Sequence, residues 1–336
     1  LLDHLVEDDH RWDSERLRPD GLYFQYDVWD GMEESISGSR KHKNARPTIN
    51  SYMTANARAI ARIARLADRP DLAAEYQIKA ESLRCRFIDA LWDPQARFFK
   101  AQTNEGPLSD AREAIGFVPF MFNLPESDRG YEQAYDQLVD PEGFWAPRGL
   151  TTAERRHPLF RSHGVGQCEW DGAVWPFATS QTLTGLANVL RFYPPTRATR
   201  SHFADSMTIY ARSHQRAGRA YLGEYHCERT GEWLKGDNPR SRFYNHSTFC
   251  DLVITGLIGL LPQGDGLIVV DPLLPADRWD YFCLDRVPYH GRLLTIVWDR
   301  HGTRYNKGTG LSVWSNDTLL AHADRLTTLY AYATVR

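Results

Sequence analysis

Apolar spacing changes character once along this chain, and that change limits the folds open to it. Up to about residue 260 the apolar residues recur mainly at three- and four-residue steps. In the segment 50–67, Tyr52, Met53, Ile60, Ile63 and Leu66 fall mainly at such steps, as on one face of a helix, and Pro47 suits a helix start. The segment 71–92 carries Leu83, Phe87 and Leu91 at i, i+4 and i+8, with Asp71 as a candidate N-cap and Pro94 beyond the end. The same reading predicts helices over 2–17, 111–122, 131–139, 174–192, 202–215 and 248–261. Past Leu261 the turn Gly264-Asp265-Gly266 introduces short strand-like runs at 267–270, 293–298, 311–314 and 327–332. The division is a helical body over 1–262 and a small antiparallel β-rich region over 263–336. Helices that arrive in pairs with long loops suggest a helical toroid or solenoid.

The stretches 23–46, 143–171 and 221–245 are too long for minimal connectors, and loops of that length are often functional. They hold Trp29, Trp145, Trp170 and Trp233. At 42% hydrophobic residues the 336-residue chain can bury a real core. A net charge of −3 gives no basic footprint for nucleic acid. No run approaches the ~18 apolar residues of a membrane span. The five cysteines are odd in number and form no C-x-x-C pair, which argues against a disulfide framework or a zinc finger. Most read as buried free thiols. No phosphate-binding loop, metalloprotease helix, calcium loop or serine elbow occurs, and Gly308-Thr309-Gly310 reads as a hairpin turn. No metal or organic cofactor is expected.

The chemistry concentrates in two acidic loops. The first places Asp27, Asp30, Glu33 and Glu34 within eight residues, interleaved with Trp29, Met32 and Ile36. A carboxylate held against apolar surface has its pKa raised, as a general acid near neutral pH requires. The plainer reading is a solvated acidic loop with capping residues. The second loop, 223–233, combines Glu224, Glu228 and Glu232 with Tyr225 and Trp233. Two carboxylates on distant loops fit glycoside hydrolysis, one protonating the leaving oxygen and the other activating water or attacking. Aromatic platforms for sugar faces would account for 10 Trp and 16 Tyr. His157 and His163 are spaced wrongly for one helical face. His226 and His246 flank the second loop and are open to substrate contact or to ordinary hydrogen bonding.

Gly31-Met32-Glu33-Glu34-Ser35, followed by Arg46-Pro47-Thr48-Ile49-Asn50-Ser51-Tyr52-Met53, resembles the glycoside hydrolase family 37/63 superfamily, which includes trehalase, processing α-glucosidase and mannosylglycerate hydrolase. Trp170-Asp171-Gly172-Ala173-Val174-Trp175-Pro176 is similar to that group's W-R-G-P-x-W. Glu224-Tyr225-His226 with Thr230-Gly231-Glu232 resembles its E-N-Y-[ND]-x-x-T-G-E. Phe243-Tyr244-Asn245-His246-Ser247 falls where F-G-W-S would be. The resemblance spans about 26–261.

It implies an all-α (α/α)6 toroid of helical hairpins and a reaction that inverts the anomeric centre. The acid falls on Glu33 and the base on Glu224. Asn50 and Trp175 fall on positions lining the sugar pocket, which Trp29, Trp170 and Asp171 would help to shape. Three departures stand beside this. The relatives' acid is Asp, so Asp30 and Asp27 stay open as alternatives to Glu33. Asp171 stands where they carry Arg, and His246 where they carry Trp.

About eight helices are legible against the twelve of six hairpins, so the expectation is a toroid incomplete at its N-terminal side. A separate chain or a second copy would supply the rest. The implied activity is that of an exo-acting glycosidase on an oligosaccharide or glycoside. The rivals are a sugar epimerase relying on His163, His226 and His246, a non-catalytic carbohydrate-binding protein, and a polysaccharide lyase. A cytoplasmic location is favoured over a periplasmic or secreted one.

Overall fold

The computed structural model describes residues 1–104, 106–162, 168–244 and 247–332. They divide into two compact units, one of Leu1–Ala198 with Arg212–Ser247, the other of Thr199–Ala211 with Thr248–Arg336.

The first unit is built on helices α1 (Leu2–Arg16), α2 (Pro47–Leu66), α3 (Pro70–Leu91) and α4 (Pro176–Phe192). Proline opens three of the four, where its missing N–H costs nothing because no helical partner exists there. Ala57 and Ala61 of α2 meet Ala80 of α3, and these small side chains make room for Ile60 and Tyr76. Helix α1 lays Leu2, Leu5 and Val6 on that contact. Its buried Asp9 accepts the Tyr76 hydroxyl at 3.0 Å and pairs with Lys79. A neighbouring cluster of Tyr23, Ile49, Met53 and Leu83, flanked by Trp12 and Leu17, ties the chain leaving α1 to α2. The first acidic loop is thereby delivered to the N-terminal end of α2.

The helices expected at 111–122 and 131–139 are present only as shorter, largely 3₁₀ elements. Ala114–Phe117 is a 3₁₀ turn running into the α-turn Val118–Met121, and Tyr131–Asp136 is a 3₁₀ segment. Their apolar residues serve aromatic packing rather than a helix stripe. Phe117 meets Phe98 and Phe144 at 5.0 Å, and Phe120 meets Tyr135 at 5.2 Å. Gly116 lies so close to the Phe98 ring that a Cβ there would stand 2.3 Å from it. At the end of α2, Leu66 is 83% exposed, off the expected apolar face.

The second unit contains most of α5 (Arg200–Ser213) and two antiparallel sheets. Strands β1 (Leu260–Leu261), β2 (Leu267–Val270) and β7 (Leu329–Tyr332) form one, in the order β7-β2-β1. Strands β3 (Tyr281–Tyr289), β4 (Arg292–Asp299), β5 (Gly310–Ser315) and β6 (Thr318–Ala323) form the other, in the order β6-β5-β4-β3. All four expected strands are present. β3 and β6 lacked a legible signal because their outward positions are polar or exposed. The helix expected over 248–261 is an α-turn, Phe249–Leu252, that widens into the π-turn Val253–Ile258. It stops at Gly259, whose φ of +88° and approach to the Asp271 carbonyl leave no room for a Cβ.

Asp299 closes the loop after β4. Its two carboxylate oxygens accept the N–H groups of His301, Gly302, Arg304 and Tyr305 at 2.7–3.2 Å. Asp299→Ala leaves those donors unmet and is expected to destabilise this unit by about 2–4 kcal/mol, since hydrogen bonds to a charged group are worth roughly 1.5–3 kcal/mol each and water recovers part of the loss. The midpoint of urea unfolding, followed by circular dichroism, checks it.

All five cysteines are free, but the expectation that most are buried fails. Only Cys227 is buried, Cys168 is partly covered, and Cys85, Cys250 and Cys283 are exposed. Cys85 lies two positions from the inward Leu83 and Phe87, which turns it off the buried face of α3. Cys283 alternates with inward Phe282 along β3. No helix among the described residues is long and apolar enough to cross a membrane.

Candidate active site

The first acidic loop begins as a 3₁₀ turn, Asp27–Asp30, closed by Gly31 at φ +68°. Met32 then plunges into the interior, and Glu34 adopts φ +64°, a conformation costly for a residue with a side chain. The Asp27 carboxylate holds Glu34 there by accepting its N–H at 3.3 Å. Between them Glu33 is half-buried, and among the described residues its carboxylate has no hydrogen bond or ion pair.

The second acidic loop is a hairpin. His226 pairs with Val174 through both backbone hydrogen bonds at 3.0 Å. Leu234 N–H returns to Tyr225 O at 3.1 Å, and Gly231 turns the chain at φ +78°. Glu224 and Lys235 therefore face each other across the two arms, with Lys235 Nζ 3.9 Å from Glu224 Oε2. The Ser241 hydroxyl donates to the same oxygen at 2.6 Å. Glu224 is buried, with a cation and a hydroxyl beside it.

Both loops close on one apolar cluster. Met32 from the first, Trp170 and Trp175 from the segment before α4, and Tyr225 from the second are buried together, with Cys168 against them. Trp170 and Trp175 stack at 3.9 Å, and Trp175 and Tyr225 at 4.5 Å. Trp175 Nε1 donates to Glu169 O at 3.2 Å. The Cys168 thiol is pushed up by burial, opposed by Lys235 at 3.8 Å and reinforced by the negative charges of Glu33, Glu224 and Glu34.

The other sequence candidates occupy different settings. Asp30 is buried in an ion pair with Arg46 and accepts the Thr48 hydroxyl at 2.8 Å and the Gln25 amide. Burial raises its pKa against the opposing effect of Arg46. Asn50 spends its amide on backbone, accepting Tyr23 N–H and donating to Tyr23 O and Arg46 O, each at 2.9 Å. Trp29 is 43% exposed, with Arg16 3.5 Å above its ring and Tyr26 edge-on at 4.8 Å, apart from the tryptophan stack. Asp171, next to Trp170, is buried and paired with Arg161. Its charge is met by Arg161 from a neighbouring segment. Burial raises its pKa, with Arg161 opposing and Glu34 adding to the shift. His246 and His163 lie outside the described residues. Lys235, Ser241 and Cys168 were not among the expected site residues. Lys235 had a signal, being one of only six lysines in an arginine-rich chain and lying just past the second acidic loop.

His226 is buried against Trp233, with Nδ1 3.3 Å from Cys227 O, and burial lowers its pKa to about 4. The unfolded chain accepts this proton near pH 6.5, the folded chain only near 4. Its contribution to stability is therefore complete above about pH 6.5 and falls away as pH drops towards 4, by about 3 kcal/mol in all. Urea unfolding of the parent and of His226→Gln at pH 7 and pH 4.5 is expected to show the parent losing more stability over that interval.

Among the described residues no group of three or more metal-ligating side chains occurs. Comparison with known proteins gives the class first, since both matching family models are those of glycoside hydrolases. Residues 263–321 match the C-terminal domain of glycosyl hydrolase family 65. Residues 1–247 match the mannosylglycerate hydrolase MGH1-like glycoside hydrolase domain, and the chain belongs to that family. A solved structure named sialidase is 49% identical over 99% of this chain, with a TM-score of 0.96. This chain spans only 31% of that one. An uncharacterised protein of Borreliella burgdorferi is 26% identical over 149 residues, which is 43% of this chain and 30% of that protein. A mannosylglycerate hydrolase from Thermus thermophilus, in complex with glucose, is 19% identical over 57% of this chain and 44% of its own, with a TM-score of 0.43.

Proposed function

We propose that this chain carries the catalytic acid–base pair of an exo-acting glycosidase that inverts the anomeric centre. Glu33 protonates the glycosidic oxygen, and Glu224 removes a proton from the attacking water. The observation that carries this reading is the meeting of the two acidic loops, through Met32 and Tyr225, on the apolar cluster of Trp170 and Trp175. The two carboxylates have the unequal surroundings their roles need. Glu224 has Lys235 and Ser241 beside it, whereas Glu33 has no hydrogen-bond or cation partner among the described residues. Asp30, the alternative acid, is committed to Arg46 and serves as support. Trp170, Trp175 and Asp171 shape the pocket. The helical body is read as part of an α/α toroid, with further helices supplied by another segment or chain.

The names of the matching family and of the sialidase structure set the first substrates to try, which are mannosylglycerate and sialosides, beside a panel of 4-nitrophenyl glycosides. Proton NMR of the first product formed then reads the anomer. Release of the opposite anomer, with the Glu33 and Glu224 carboxyls roughly 6.5–9.5 Å apart in a crystal structure, is expected. Retention of configuration with a separation near ~5 Å would change the mechanism to a covalent one. Binding without turnover would replace the enzyme by a carbohydrate-binding protein.

A further inference from the structure

We infer that Arg46 is the positioning residue of the catalytic acid, a step that rests on the reading of Glu33 as that acid. Arg46 is wholly buried at the N-cap of α2. Its Nε pairs with Asp30, just before Glu33 in the loop. The other two nitrogens of its fork donate to Ser37 Oγ and Ser35 Oγ, each at 3.3 Å, just after it. One rigid planar group therefore spans the turn from both sides. A lysine could pair with Asp30 but has no second and third prong in fixed geometry.

The surrounding contacts complete a frame. Glu113 accepts Ser37 N–H at 3.2 Å and faces Arg46, whose charge its own complements. Asn44 donates to Ser37 O at 2.8 Å. Asp27 takes Glu34 N–H through its carboxylate and Met32 N–H through its carbonyl, at 3.3 and 3.4 Å. A Cβ on Gly38 would stand 2.4 Å from Ser35 Oγ and 2.5 Å from Asp27 Oδ2, so the chain passes directly against this knot. Anchors thus fall at positions 30, 32, 34, 35, 37 and 38. They bypass the carboxylate of Glu33, whose negative charge acts on the Cys168 thiol. Three carboxyl groups, Asp27, Asp30 and Glu113, gathered with one buried guanidinium are a costly arrangement for stability alone. Fixing a carboxyl within a fraction of an ångström gives that cost a use.

The test compares Arg46→Lys, Ser35→Ala and Glu33→Gln with the parent. Crystal structures of Arg46→Lys and Ser35→Ala are expected to show the Glu33 carboxyl displaced by about 1 Å with Glu224 unmoved. A displacement of that size lowers catalysis roughly 10²-fold. For the sugar found in the panel, kcat on its methyl glycoside is expected to fall by about that factor in Arg46→Lys, with KM little changed. On the glycosyl fluoride, whose leaving group departs without a proton, the fall is expected to be under about tenfold. Glu33→Gln is expected to discriminate the same two substrates more strongly. An unmoved Glu33 carboxyl, or equal losses on both substrates in Arg46→Lys, overturns the inference. If Glu33→Gln itself fails to discriminate, the acid assignment falls instead. Should Arg46→Lys fail to fold, Ser35→Ala, which removes one prong and leaves the ion pair, decides by the same two readouts.

Discussion

Glu224→Gln and Glu33→Gln are each expected to lower glycoside turnover by about 10²–10⁴-fold, the range a positioned acid or base supplies. The amide keeps the shape of the carboxyl and removes its ability to exchange a proton. For Glu224 the replacement is mild structurally, because Gln can still accept the Ser241 hydroxyl that now lies at 2.6 Å. Lys235 loses its carboxylate but is 23% exposed and retains water as a partner. For Glu33 no interaction of the carboxylate is lost among the described residues, so folding is expected to be untouched. The two variants also differ in kind. A small anion such as azide is expected to restore part of the activity of Glu224→Gln by attacking in place of water, giving a glycosyl azide. It does nothing for Glu33→Gln, where the missing function is protonation. The measurements are kcat on the substrate found in the panel, with unfolding midpoints as the control. A loss below tenfold in both variants at unchanged stability would remove these residues from the chemistry.

Trp175→Ala is expected to cost about 3–5 kcal/mol of stability in the first unit, the usual loss for emptying a buried aromatic site. Trp175 is the middle ring of three, with Trp170 at 3.9 Å on one face and Tyr225 at 4.5 Å on the other. Removing it leaves two large rings without their stacking partner and leaves Glu169 O without its indole donor. The cavity cannot close easily, because Trp170 and Tyr225 are each fixed by their own loops, Tyr225 through the backbone pairs His226–Val174 and Leu234–Tyr225. Activity is expected to fall even where the variant folds, since the stack is the surface on which the Met32 and Glu224 loops register. Urea unfolding followed by tryptophan fluorescence measures the first effect. Trp175→Phe, which keeps a ring but not the donor, is expected to recover about half of the loss.

Much of the helical body was legible because its apolar residues obey a 3.6-residue period and its starts carry proline. Helices α2, α3 and α4 fall within two or three residues of the segments read from the sequence. The segments 111–122 and 131–139 form shorter, largely 3₁₀ elements for a physical reason. Their apolar residues pack ring against ring across the chain, and periodicity along one segment does not distinguish such packing from a helix face. Strands β3 and β6 were missed because an edge or half-exposed strand lacks the buried alternation that marks its neighbours.

The acidic loops, the tryptophan-rich segment and the resemblance they carry were all written in the sequence, because local chemistry and spacing are properties of short stretches. It was the tertiary structure that separated the carboxylates by environment. Asp30 and Glu33 are three residues apart and equal on paper, yet one is sealed against Arg46 and the other has no partner among the described residues. Lys235 opposite Glu224, Arg161 opposite Asp171, and the convergence on Trp170 and Trp175 of loops far apart in the chain depend on hairpin pairing and on a shared apolar cluster. Burial and charge pairing are set by what the rest of the chain brings alongside, and no local stretch contains that information.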